Sequence, residues 1–294
     1  MEEILPEISV VIPVSNVFKN LDTILLSLFT QSFPNIEIIL INNNCDENVT
    51  KLINNYAKFD SRIKVINLSE KISATKCCRI GAEYSNCEYI TFLDSSKRMF
   101  YAQSSLNRML KNIKRNNADF VYCGNLVQEL GTFKLLRIFQ VSIKQLIQKE
   151  NFKPRDLQPE SLFKLNLSIY GKLFKREFFN SVPSTIFDET YFLNLFFAAK
   201  TIAYDDICLC VMTVDKQELL KPNEIAEQNA NLELLKKLNL PEIYKEECIR
   251  HKIWRYCINL YYMPEFQKQR FSEDMRKDLI GIDLQKYSVI GEMI

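Results

Sequence analysis

Short apolar runs and amphipathic stretches alternate through the first 123 residues. "ISVVIPV" (8–14) is apolar at almost every position, the pattern of a strand buried on both faces. "FKNLDTILLSLFTQSF" (18–33) places Leu21, Ile24, Leu25, Leu28 and Phe29 at helical spacing. The alternation continues with strands predicted at 36–41, 62–68, 88–94 and 118–124, and helices at 48–60, 74–85 and 104–117. Strands separated by helices predict βαβ units, a mostly parallel sheet and right-handed crossovers. Ligands of such sheets bind beyond the carboxyl ends of the strands. The loops to watch are therefore 13–18, 42–47, 67–74 and 94–100.

After residue 124 the pattern changes. "NLVQEL" and "TFKLLRIFQ" predict a hairpin turning at Gly131. "KPRDLQPES" (153–161) is a polar connection, and a helix is expected from about Glu189 to Lys200, followed by one or two strands. From about residue 216 the chain reads as helical. The expected organisation is a first domain over 1–214 and a helical extension over 215–294 that packs on it. In the extension, Ile249, Ile253, Trp254, Cys257, Ile258 and Tyr261 form an apolar stripe, with Lys245, Arg250, Lys252 and Arg255 on a basic side. A helix of that kind either packs on its own protein or makes peripheral contact with an anionic membrane. His251, the one histidine, lies between Cys248 and Cys257 at no recognised zinc spacing and reads as a helix-surface residue.

Charge narrows the classes. There are 38 basic and 36 acidic residues, a net charge of +2, and no long basic tract, so nothing points to nucleic acid. The acidic start does not read as a secretory signal. Nine cysteines, an odd number, fit reduced thiols and a cytoplasmic location. No apolar run reaches the roughly 18 residues of a membrane span.

Several segments, in order, resemble the family 2 glycosyltransferases with the GT-A fold. They are Pro13-Val14-Ser15-Asn16 after the first strand, "SLFTQSFPNIEIILINN" (27–43), "KFDSRIKVI" (58–66), "EYITFLDS" (88–95), "YGKLFKREFF" (170–179) and "FDETYF" (187–192). The resemblance covers about residues 7 to 214. It implies an α/β, GT-A-like domain that takes a nucleotide-sugar donor and inverts the anomeric centre on transfer to a glycan or lipid-linked acceptor. Pro13, Ser15, Asn42, Asn43, Arg79, Asp94, Ser96 and Lys97 would lie around the donor, and Glu189, with Asp188 beside it, would be the general base; both acidic residues also suit the start of a helix. It also implies a divalent metal, Mn²⁺ or Mg²⁺, at Asp94.

The departures fall on that chemistry. Asn42 and Asn43 stand for a pair of aspartates, Ser15 for a tyrosine, Cys78-Arg79 for Arg-Asn, and Asp94-Ser95-Ser96 for Asp-x-Asp. The Glu-Asp pair is reversed as Asp188-Glu189. A hard cation wants carboxylate oxygens, and Asp94 offers only one carboxylate beside the cationic Lys97. An asparagine keeps an acceptor and adds donors, so Asn43 retains the chemistry to bond a ribose or base. Two readings follow. Lys97 and Arg98 replace the metal in a working transferase, or the chain is a pseudoenzyme that binds a glycan, a nucleotide or a partner glycosyltransferase.

Overall fold

In a computed structural model the chain is described over residues 5–16, 21–95, 98–100, 102–129, 135–139, 149, 151–163, 165–185, 187–214, 224–284 and 286–287. These residues divide between two compact units, Met1–Gln158 with Leu165–Thr213, and Pro159–Lys164 with Val214–Ile294.

In the first unit, β1 (Ile8–Val14) and β2 (Ile36–Asn42) are buried at every position, as their continuous apolar runs predict. α1 (Leu21–Phe29) packs the helically spaced Leu21, Ile24, Leu25 and Leu28 into the same core. α2 (Glu47–Phe59) starts at the Asp46 cap, whose carboxylate accepts the Val49 N–H at 3.0 Å. β3 (Ile63–Asn67), α3 (Ala74–Tyr84) and β4 (Tyr89–Phe92) complete the parallel half, in the order β3-β2-β1-β4. α3 lies close on β1 because of Gly81: a Cβ there would stand 2.3 Å from Val11 Cγ1. Pro13 faces the β4 side past the last β4 partner of β1, where a missing N–H costs no ladder bond.

Beyond β4 the parallel run gives way. β5 (Arg98–Phe100) occupies the end of the expected 94–100 loop and pairs antiparallel with β10 (Ile202–Val214). α4 (Ser105–Asn116) is held at its start by Gln31, which accepts from Leu106 N–H and donates to the carbonyls of Ser27 and Ala102. β6 (Phe120–Glu129) joins the fifth predicted strand and the first arm of the hairpin into one element, and β7 (Leu135–Phe139) is the second arm; Gly131 lies outside the described residues. β8 (Asn151–Phe152) pairs with β10. β9 (Leu173–Lys175) inserts antiparallel between β4 and β6, which the βαβ pattern of the first half does not foretell. The strand order is β3-β2-β1-β4-β9-β6-β10-β5. The one or two strands expected after the last helix of this unit are a single strand, β10.

The second unit holds α5 (Pro159–Leu162) and three longer helices, α8 (Glu224–Lys237), α9 (Glu242–Tyr262) and α10 (Glu265–Asp278). Two further helices, α6 (Arg176–Ser181) and α7 (Asp188–Ala198), belong to the first unit. α9 is the helix read as amphipathic, and it runs through the middle of its unit's core, with Ile253 and Tyr256 buried. Lys252 is 2% exposed and pairs with Asp278 at 2.5 Å, while Lys245 pairs with Glu242 and Arg250 with Glu247. His251 stacks between Phe163 (4.9 Å) and Trp254 (5.8 Å).

Candidate active site

The register of the parallel strands brings Val14, Asn42 and Asn67 level at their carboxyl ends. The loops leaving this edge are tied to one another. Asn42 donates both N–H groups, to Thr50 Oγ1 (3.0 Å) and Asn67 Oδ1 (2.8 Å), and accepts from the Cys45 N–H (3.0 Å). Asn43 clasps the backbone of Ile72 from both sides, donating to its carbonyl at 2.8 Å and accepting from its N–H at 2.9 Å. An aspartate could not make this pair of bonds, because it has no donor when ionised. The asparagines found in place of aspartates thus close the loops after β2 and β3. Asn43 keeps one N–H and one lone pair for a ligand. Beside the clasp is a cleft of about 390 Å³ lined by Glu70, Lys71, Ile72, Ser73 and Lys76.

Arg79 does not point its donors at an open pocket. Its guanidinium donates to the carbonyls of Phe179 (2.9 Å), Asn180 (2.8 Å) and Val182 (3.1 Å), capping the end of α6. The preceding residue, Cys78, is fully buried, and its thiol donates to the Tyr170 hydroxyl at 3.9 Å.

Asp94 follows β4, half-buried, and Ser15 is half-buried beyond β1. Ser96 and Lys97 lie outside the described residues, as does the side chain of Arg98. Tyr170 and Cys78 feel the charges of both Asp94 and Asp188. Burial pushes the Tyr170 hydroxyl and the Cys78 thiol well above their ordinary ranges, and the negative charges of Asp188 and Asp94 add to both shifts. The turn Ser168–Gly171 reaches both the end of β4 and Asp188. Gly171 adopts φ of 73°, and its N–H bonds the Phe92 carbonyl at 2.9 Å, seating the turn beside the end of β4. From the same turn, Ser168 Oγ donates to Asp188 Oδ2 at 2.6 Å and the Ile169 N–H to Asp188 Oδ1 at 3.2 Å. Asp188 opens α7 half-buried, whereas Glu189 is 5% exposed.

Three residues of this site are not singled out by the sequence: Ser168, Tyr170 and Lys172. "SIYGKLF" does carry a signal, since a lysine beside a glycine in an otherwise apolar run is unusual for a buried strand entry. Among the described residues no group of three or more His, Cys, Asp or Glu side chains could hold a metal ion. The described residues do not compose the oxygen-rich set that Mn²⁺ or Mg²⁺ prefers.

A parallel α/β half with its ligand loops on one edge, continued by antiparallel strands that return a carboxylate to that edge, is the GT-A arrangement. The chain belongs to glycosyl transferase family 2, whose model matches residues 9–182. An uncharacterized glycosyltransferase of Haemophilus influenzae is 30% identical over 157 residues, 51% of this chain and 60% of that one. The GalNAc(5)-diNAcBac-PP-undecaprenol beta-1,3-glucosyltransferase of Campylobacter jejuni is 25% identical over 201 residues, 65% of this chain and 60% of that one. The chain thus spans less than two thirds of the length of either relative. The crystal structure of S. aureus TarS 1–349 in complex with UDP-GlcNAc has a similar fold, with a TM-score of 0.66 and 13% identity over 90% of this chain and 78% of that one. No helix among the described residues is long and apolar enough to cross a membrane.

Proposed function

We propose that the chain transfers a sugar from a nucleotide-sugar donor to a hydroxyl of a surface-glycan or lipid-linked acceptor, with inversion. The observation that carries this reading is the Asp188 carboxylate, held at the start of α7 by the Ser168 hydroxyl and the Ile169 N–H. The C. jejuni relative, named for an undecaprenol-linked acceptor, and the TarS neighbour, bound to UDP-GlcNAc, support the two substrate classes.

Asp188 takes the proton of the acceptor hydroxyl as that oxygen attacks the anomeric carbon. The bond to the diphosphate breaks with its electron pair, and the nucleoside diphosphate leaves from the opposite face. Lys97 and Arg98 offset the charge on the leaving group, and Asp94 orients the donor. Glu189, almost fully buried, supports the start of α7. The nucleoside lies over the loops closed by Asn42 and Asn43, where one Asn43 N–H and the cleft lined by Lys71 and Lys76 remain for it. The reading includes donor binding without a metal.

The test is a panel of nucleotide sugars and diphosphates, each with Mn²⁺ and with chelator, followed by transfer to polyprenyl-linked and free glycan acceptors. A ligand at 100 times its Kd stabilises the fold by about 2.7 kcal/mol, readily seen as a thermal shift. The expected result is a shift that survives chelation and turnover that falls about 10²- to 10⁴-fold in Asp188→Asn. A shift that vanishes with chelator overturns metal independence. Donor binding without turnover favours the second reading, a pseudoenzyme; the commitment of the Arg79 donors to α6 is the observation on its side.

A further inference from the structure

Lys172 is the least expected side chain of the first unit. It is completely buried, at the entry to β9. Its ammonium lies 4.6 Å from the centre of the Phe192 ring and 4.9 Å from that of Tyr122. It donates to the Ser168 carbonyl at 2.5 Å. Taking an ammonium out of water is costly, and two aromatic faces and the Ser168 carbonyl are among the contacts that offset it. Stability alone does not say why these particular contacts are made.

What the lysine touches gives a better reason. Ser168 is bonded at both ends: its carbonyl accepts from Lys172, and its hydroxyl donates to Asp188 and accepts from the Tyr170 N–H. Its neighbour Ile169 donates to the other oxygen of the same carboxylate. The aromatic cage has its own anchors. The Tyr122 hydroxyl accepts from the Asn166 N–H at 2.7 Å, just ahead of the turn, and Phe192 stands one helical turn after Asp188 on α7. The ammonium thus sits at the junction of the turn that grips the carboxylate and the helix that carries it.

We propose that Lys172 is a positioning residue for the Asp188 carboxylate, acting through the Ser168–Ile169 turn. This rests on the reading of Asp188 as general base. By donating to the Ser168 carbonyl, Lys172 fixes the direction in which the Ser168 hydroxyl and the Ile169 N–H present their hydrogens. Those two bonds set the plane of the carboxylate, and hence the lone pair that meets the acceptor hydroxyl. Misplacing a catalytic group by about 1 Å can cost 10²-fold.

Lys172→Met keeps the volume and removes the charge and the donor. The expected result is an unchanged KM for the donor and kcat lowered about 10- to 100-fold, whatever the melting temperature does. Ser168→Ala, which removes the hydroxyl at the other end of the relay, should lower kcat too. The double variant should fall short of the product of the two losses, because both act on one carboxylate. A lysine that served only the fold would give the opposite split: a lower melting temperature with kcat intact. That outcome, or fully independent losses in the double variant, overturns the proposal. Hydrogen exchange at the Ile169 amide supplies a readout that needs no turnover. Faster exchange in Lys172→Met supports the grip even if no donor and acceptor pair is turned over, in which case the transferase reading alone fails. Unchanged exchange sinks the proposal whatever the activity.

Discussion

The two units solve the problem of cohesion differently. In the first, β1 and β2 contribute unbroken buried strands, helices α1 to α4 cover them, and polar groups are pushed to the ends of the strands. At the amino-terminal edge, Glu37 collects bonds from Ser9 (2.5 Å), Lys64 (2.6 Å) and the Asn86 N–H (3.0 Å). At the opposite edge lies the candidate active site. In the second unit the charges are inside. Asp278 accepts from Lys252, from the Tyr256 hydroxyl at 2.7 Å and from Asn229 at 2.7 Å, and Lys252 also donates to Asn229 at 2.8 Å. One carboxylate thereby ties together α8, α9 and α10, and α10 itself has no fully buried residue. A sheet tolerates loss of any one polar contact because apolar area holds it. A smaller helical core crossed by a buried ion pair has less apolar area to fall back on.

The largest effect that would test this contrast is in the second unit. Asp278→Ala leaves the buried Lys252 ammonium unpaired and should cost about 3–5 kcal/mol, read as an early unfolding transition in denaturant. Replacing both partners, as Lys252→Met with Asp278→Leu, should recover most of that loss. If the single change costs less than about 1 kcal/mol, the ion pair is not what holds these helices.

The middle effect is in the first unit and depends on pH. Burial works to raise the Glu37 carboxyl, and the bonds from Lys64, Ser9, Asn86 and Cys87 outweigh it, leaving it below its ordinary value of 4.5. Asp278 is likewise held below 3.8, against burial, by Lys252, Tyr256 and Asn229. A depressed carboxylate contributes stability above its unfolded pKa and loses it as pH falls through the folded one. Both units should therefore weaken below about pH 4.5. Glu37→Gln should cost about 1.5–3 kcal/mol at neutral pH, the range for bonds to a charged group, and flatten the acid limb of the first unit. An acid limb as steep as before would show that Glu37 is not its source. The smallest effect is Asp46→Ala, which removes the cap of α2 and should cost about 1 kcal/mol by the same denaturation measurement.

The same contrast explains what is legible in the sequence. The buried strands and α1 to α4 follow from period and apolar runs, because burial on both faces is written into each residue in turn. β9 is not written that way: three residues of "LFK" become a strand only because β4 and β6 stand on either side. On α9, Lys252 looks like one member of a solvated basic face. Its burial depends on Asp278, a partner on another helix that no local pattern identifies. The candidate site divides likewise. Asp94 and the pair Asp188-Glu189 are marked by their places at the end of a strand and the start of a helix, but the sequence directs attention to Glu189, and only the folded turn shows that it is Asp188 whose carboxylate Ser168 and Ile169 hold. Ser168, Tyr170 and Lys172 are not, since their importance lies in what a turn brings to a distant carboxylate. Arg79 is legible as a cation on α3, but not as the cap of α6.

The clasp between Asn43 and Ile72 has a bearing on how this chain can evolve. With the loop after β3 resting on a side-chain amide, an aspartate at residue 43 would set a carboxylate against the Ile72 carbonyl, two acceptors facing each other where a hydrogen bond had been. The asparagine thereby acts as a ratchet. The change to aspartate takes a single base, but it trades a hydrogen bond for a repulsion, so an acidic contact to a nucleoside from this position would need a different backbone path around Ile72.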